Sequence, residues 1–132
     1  MISDVSAKLS PERWARRASD AYEIHKADRI VAEKNFGGDM VAATIRSVNP
    51  RARVKLVNAS RGKAVRAEPV VALYEQRRVH HVGMFRELED QLCQWDPNGS
   101  AGSPDRLDAL VWAVTDLLVE RQSWTRVTQL RL

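Results

Sequence analysis

The chain has 132 residues, 44% hydrophobic and 29% charged, which is apolar enough for one packed domain and ordinarily charged for a globular chain. Its 21 lysines and arginines outweigh 17 carboxylates to give a net charge of +4 and a pI near 9.6. The basic excess is mostly arginine, which makes a phosphate-bearing partner the first to consider. No apolar run approaches a membrane span, Met1–Lys8 has no basic segment leading into an apolar one, and a single cysteine excludes an internal disulfide framework. A cytosolic setting is the expectation.

The first helix opens at Ser10-Pro11-Glu12, with Ser10 as N-cap and proline in the first turn, and runs to near Lys26. Trp14, Ala18, Ala21 and Tyr22 recur at helical spacing as its buried face, and Arg13, Arg16, Arg17 and Asp20 fall off it. Arg29–Lys34 reads as a buried strand whose apolar run, Ile30 to Ala32, ends in the carboxylate Glu33. Gly37-Gly38 breaks that strand. Asp39 then caps a second helix with Met40, Ala43, Thr44 and Val48 inward, and Asn49-Pro50 stops it. Arg53–Asn58 alternates charged and apolar residues as a strand exposed on one face does. Strand, helix and strand in so few residues make a βαβ unit with a parallel pair and a right-handed crossover. Glu33 is thereby delivered to the edge of an α/β sheet where sites usually form.

Ser60–Pro69 starts as a polar loop carrying Arg61, Lys63 and Arg66 and leads into a helix with Val70, Val71, Leu73 and Tyr74. Val79-His80-His81-Val82 reads as a brief strand closed by Gly83. Phe85–Trp95 is a helix with Phe85, Leu88, Leu92 and Trp95 inward and Cys93 as a small buried residue. After a turn-rich loop, Asp96–Gly102, the last helix opens at Ser103-Pro104-Asp105, with Leu107, Leu110, Val111, Val114, Leu117 and Leu118 as its apolar face. One domain over residues 1–120 and a weakly patterned tail over 121–132, frayed or partner-dependent, complete the expected organisation.

Glu33, Asp105 and Asp108 are the sharpest chemical candidates. Asp105 and Asp108 share one helix face, and if that helix packs on the sheet edge they converge with Glu33. Three hard oxygen donors suit Mg2+ or Mn2+, and two such ions drive phosphodiester hydrolysis. The plainer alternatives stand beside this: Asp105 favours a helix start through the dipole, and Glu33 has many arginines to pair with. Arg61, Lys63 and Arg66 around Gly62 suit a phosphate backbone or form a solvated basic loop. Adjacent His80 and His81 on a strand face opposite ways, which argues against zinc. No phosphate-cradling P-loop and no Gly-x-Ser-x-Gly elbow is present.

Taken together, the stretches Asp28–Val41, Ala59–Pro69, Leu73–Gly83, Leu88–Leu92 and Ser103–Ala113 closely resemble the C-terminal nuclease domain of the large terminase subunit of tailed bacteriophages and prophages. The resemblance runs from about Ser10 to about Leu118. It implies an α/β, ribonuclease-H-like fold with a truncated parallel or mixed sheet flanked by helices. It also implies a Mg2+- or Mn2+-dependent endonuclease that cuts double-stranded DNA concatemers in the host cytoplasm. Its partners in that family are the terminase ATPase domain, the small terminase subunit and the portal. Of the family's three metal-binding acidic positions, the second matches Glu33 and the third matches Asp108, with Asp105 as a neighbour. The first belongs to a strand meander of which Met1-Ile2-Ser3-Asp4 matches only the end, and Asp4 is outside the motif. Impaired cleavage is therefore expected, or a non-catalytic DNA-binding or assembly module. The Glu33 strand is expected to present an open edge that invites a second copy to pair.

Overall fold

A computed structural model describes residues 1–34, 39–96 and 104–119. The chain divides into two compact units, residues Val5–Ser60 and residues Met1–Asp4 with Arg61–Leu132.

In the first unit, Pro11 presets the helical backbone and Glu12 favours the positive end of α1 (Pro11–Ile24). Ser10 takes the extended cap conformation but makes no side-chain cap bond. The centre of the buried face is Ala15 and Ser19, with Trp14 and Tyr22 packed beside it rather than at its middle. A methyl at Ala15, 0% exposed, lets the neighbouring helix approach closely, so the large aromatics flank the contact. β1 (Ile30–Glu33), α2 (Met40–Val48) and β2 (Val54–Val57) follow. β1 and β2 pair in parallel, Ile30 opposite Val54 and Glu33 opposite Val57, as expected of the βαβ unit. The Ile30 N–H donates to Arg53 O at 2.7 Å, and the Lys34 N–H to Val57 O at 2.8 Å.

Two expectations change here. Every residue of β1 and β2 is half-buried, so β1 is not fully buried and β2 has no solvent-exposed face of its own. The inward side of α2 is Ala42 and Ile45, each 1% exposed, whereas Met40 is 67% exposed and Ala43 also faces out. The branched Ile45 fills the space against Ala15 and Ala52, which fixes the rotation of the helix. Asp39 occupies the N-cap position without a side-chain cap bond. At the other end of α2, Asn49 Nδ2 donates to Glu23 Oε1 at 2.9 Å and Asn49 Oδ1 accepts from the Arg51 N–H, tying the ends of α1 and α2 together. Gly37 and Gly38 lie outside the described residues.

The second unit is helical: α3 (Lys63–Glu75), α4 (Arg86–Gln94), α5 (Asp105–Val114) and a π-helical turn, Thr115–Val119. Ala67, Val70 and Leu73 of α3, Leu88 of α4, and Leu107, Leu110, Val111 and Val114 of α5 form its core. Leu117, read as part of the apolar face of the last helix, is 49% exposed, and Val71, one of the apolar residues of α3, is 51% exposed. A helix has one buried stripe, and the 67–70–73 spacing of α3 leaves Val71 outside it. Cys93 is exposed rather than buried, because α4 inserts Leu88 and turns Cys93 outward. Val79–Val82 is not a strand. The Met1 ammonium donates to His80 O and the Val82 N–H donates to Met1 O, which is the pattern of a single parallel bridge opposite His81. One bridge is too little to propagate a ladder. Pro104 takes the N-cap position of α5; Ser103, most of the Asp96–Gly102 loop and the 121–132 tail lie outside the described residues.

Each unit therefore rests on its own core. Leu88→Ala and Ile45→Ala, each emptying a site 1% exposed, are expected to lower unfolding free energy by about 2–5 kcal/mol. Urea denaturation of each variant checks this, and a loss below about 1 kcal/mol contradicts the assigned cores.

Candidate functional site

Glu33 is the last residue of β1, half-buried opposite Val57 and engaged in polar interaction, so the strand ends on a carboxylate as the sequence implied. It lies in the 5–60 unit. Lys34 and Asp39 flank it with a loose ion pair of 3.9 Å.

Asp105 and Asp108 lie in the other unit, in the first turn of α5. Asp105 is exposed, the placement that a helix dipole alone favours. Asp108 is different. Its side chain is 21% exposed and receives two cations from α3: Lys63 Nζ stands 3.0 Å from Oδ2, and Arg66 Nη2 stands 3.9 Å from Oδ1. The Arg66 side chain is only 9% exposed, and its guanidinium lies 4.5 Å from the centre of the Trp112 ring. Trp112 is one turn beyond Asp108 on α5, so a single helix supplies both the anion and the aromatic face for one buried arginine. Arg66 Nε and Nη1 are buried and have no hydrogen-bond partner among the described residues. That leaves the Asp108 charge as the principal compensation for a desolvated guanidinium.

The first turn of α5 is fixed from two further sides. Gln91 Oε1 of α4 accepts the Leu107 N–H at 3.2 Å, satisfying one of the helix's free amides. Arg106 Nε donates to Asp4 Oδ2 at 2.9 Å, a pair half-shielded from solvent. Asp116, in the π-helical turn, is 4% exposed and engaged in interaction. Among the described residues no group of three or more His, Cys, Asp or Glu is placed to hold a metal ion.

Of the three cations expected to hold phosphate, Arg61 is exposed beside Gly62, Lys63 opens α3, and Arg66 is a buried helical residue rather than part of a loop. His80 is exposed, whereas His81 belongs to a chain that the sequence reading missed. Tyr74 Oη and His81 Nε2 are 2.8 Å apart, His81 Nδ1 lies 2.9 Å from Glu89 Oε1, and the Phe85 N–H donates to the same oxygen. A carboxylate only accepts, which puts the His81 proton on Nδ1 and makes Nε2 the acceptor of the Tyr74 hydroxyl. The order is that of a nucleophile, base and orienting acid. Its electrostatics point elsewhere: burial, then the Glu89 charge, raises the Tyr74 pKa above 10.0, so the phenol is held protonated. The relay is a brace between α3 and α4. The one hint in the sequence was the eight-residue interval from His81 to Glu89, too long for a recognisable local motif.

A parallel β1–β2 pair in a chain otherwise made of helices is an α/β arrangement. Residues 5–117 match the family described as the terminase RNaseH-like domain, and the chain belongs to that family, a nuclease-type module of phage terminases. No curated protein and no solved structure matches the chain.

The hydrogen bond from His81, then the Phe85 amide, lowers the Glu89 pKa below its ordinary 4.5. A depressed carboxyl contributes stability above its unfolded pKa and loses it as pH falls through the folded one. Glu89→Gln is therefore expected to be less stable than the parent near neutrality, with the difference shrinking as pH drops below 4.5. Thermal melts across pH check it; a difference independent of pH contradicts the brace.

Proposed function

We propose that this chain is the DNA-cleaving module of a packaging machine, acting in the host cytoplasm on double-stranded DNA concatemers, with Glu33 and Asp108 as carboxylates that hold its divalent ions. The family match over residues 5–117 carries this reading, because it covers both carboxylates. Their hard oxygens suit Mg2+ or Mn2+, and such ions supply an activated water and a clamp on the leaving oxygen. Asp105, exposed one turn before Asp108, is an auxiliary donor to the same ions. The ATPase domain, the small terminase subunit and the portal are the partners proposed with it.

What the chain's own residues contribute is charge control. Asp108 is already neutralised by Lys63 and Arg66. Arg66 is buried and stacked, so it is Lys63, at 48% exposure, that gives way when another cation or a phosphate arrives. Arg61 and a released Lys63 then face the DNA backbone. The same ion pairs favour a second reading, a DNA-binding or assembly module in which Asp108 is a structural counter-charge.

Calorimetry with Mn2+ beside plasmid nicking separates the two. The nuclease reading predicts Mn2+ binding that weakens about tenfold or more in Glu33→Gln and Asp108→Asn, tightens in Lys63→Met, and is accompanied by slow metal-dependent nicking. Salt-sensitive DNA binding that ignores Mn2+ and survives both carboxylate substitutions contradicts it and supports the second reading.

A further inference from the structure

Charge is divided unevenly along the chain. Residues 5–60 carry 11 lysines and arginines against 6 carboxylates, a net +5, and the remainder carries 10 against 11, a net −1. The whole basic excess of the protein thus belongs to the unit built on α1, the βαβ segment and Glu33. Within it, Arg13, Arg16 and Arg17 stand on one side of α1, opposite the buried Ala15 and Ser19. With Leu9 and Asp20 they line an open depression of ≈ 170 Å³.

We infer that this arginine face of α1 grips the phosphate backbone of double-stranded DNA, an assignment that rests on the DNA-cleaving reading above. Three cations at i, i+3 and i+4 repel one another across a helix face, and their own partners do little to relieve it. Arg16 Nη2 pairs with Glu12 Oε1 at 3.1 Å, but the two side chains are 63% and 74% exposed, a pair easily exchanged for a stronger anion. Arg17 Nη1 reaches Val5 O only at 3.5 Å, and Arg13 makes no ion pair among the described residues. Asp20 is the single carboxylate in the lining and leaves the depression positive. Guanidinium forks match phosphate oxygens two at a time, and a non-sequence-specific grip suits an enzyme that must accept whatever DNA passes. α1 is also anchored in its unit, packed through Ala15 on α2 and tied at its far end by Glu23 to Asn49. The arginines are therefore presented from a rigid support.

The test is fluorescence anisotropy of a labelled DNA duplex with the full chain in EDTA, across a salt series. The parent is expected to bind with a steep salt dependence. Arg13→Glu/Arg17→Glu should weaken binding at least about tenfold and lower the slope of log K against log salt by roughly 1 to 2, and Arg13→Gln alone should lower it by about 1. Arg46→Glu/Arg51→Glu removes the same charge from the same unit and should lose distinctly less. Equal losses in the two double variants, with circular dichroism showing both folded, overturn the α1 site and leave DNA binding to net charge. A parent that binds no duplex at low salt overturns both this inference and the DNA-cleaving reading beneath it.

Discussion

A buried arginine needs a counter-charge, and in this protein that requirement fixes the first turn of α5. Arg66 is nearly stripped of water, two of its nitrogens lack hydrogen-bond partners among the described residues, and Asp108 and the face of Trp112 are what compensate it. Removing one partner of such a pair strands the other in a medium that solvates it poorly, which is why buried pairs are costly to break even when they contribute little net stability. Because Asp108 and Trp112 are one turn apart on α5, satisfying Arg66 also sets the rotation of that helix. Leu107, Leu110, Val111 and Val114 then face Ala67, Val70 and Leu73 of α3 and Leu88 of α4. Gln91 and Asp4 hold the same turn from other directions.

The carboxylate that performs this structural task is also one of the two proposed metal ligands. The two roles are compatible because the two cations differ. Arg66 is buried and stacked; Lys63 is a half-exposed ammonium at a helix start, next to Gly62. In the proposed function a stronger competitor for Asp108 would displace Lys63, the exposed partner, and leave Arg66 in place. The charge distribution completes the functional picture. The basic excess lies in residues 5–60, whereas Asp108 belongs to the other unit, where Lys63 and Arg66 face it.

Much of this was legible from local chemistry. Proline after a cap residue marked the start of α1, alternation and turn residues marked the strands, and the parallel pairing followed from the strand–helix–strand order. Glu33 at its strand end and Asp108 in a first turn were readable for the same reason, since spacing fixes both. What failed depended on partners remote in sequence. The rotation of α2 is set by Ala15 and Ala52, so Ala42 and Ile45 displaced Met40 and Ala43. Arg66 reads as a loop cation beside Gly62, and only Asp108 and Trp112, more than forty residues later, reveal it as buried. Cys93 has an apolar side chain's habits but sits on the outer side of a helix that Leu88 orients.

Paramagnetic mapping tests the proposed roles of Glu33 and Asp108 as metal ligands without relying on turnover. Substoichiometric Mn2+ added to isotopically labelled protein broadens amide signals nearest the ion. Selective loss of the signals around Glu33 and around Asp108, relieved at both by excess Mg2+, is the expected result. Broadening confined to other exposed carboxylates, with Glu33 and Asp108 untouched, would contradict it.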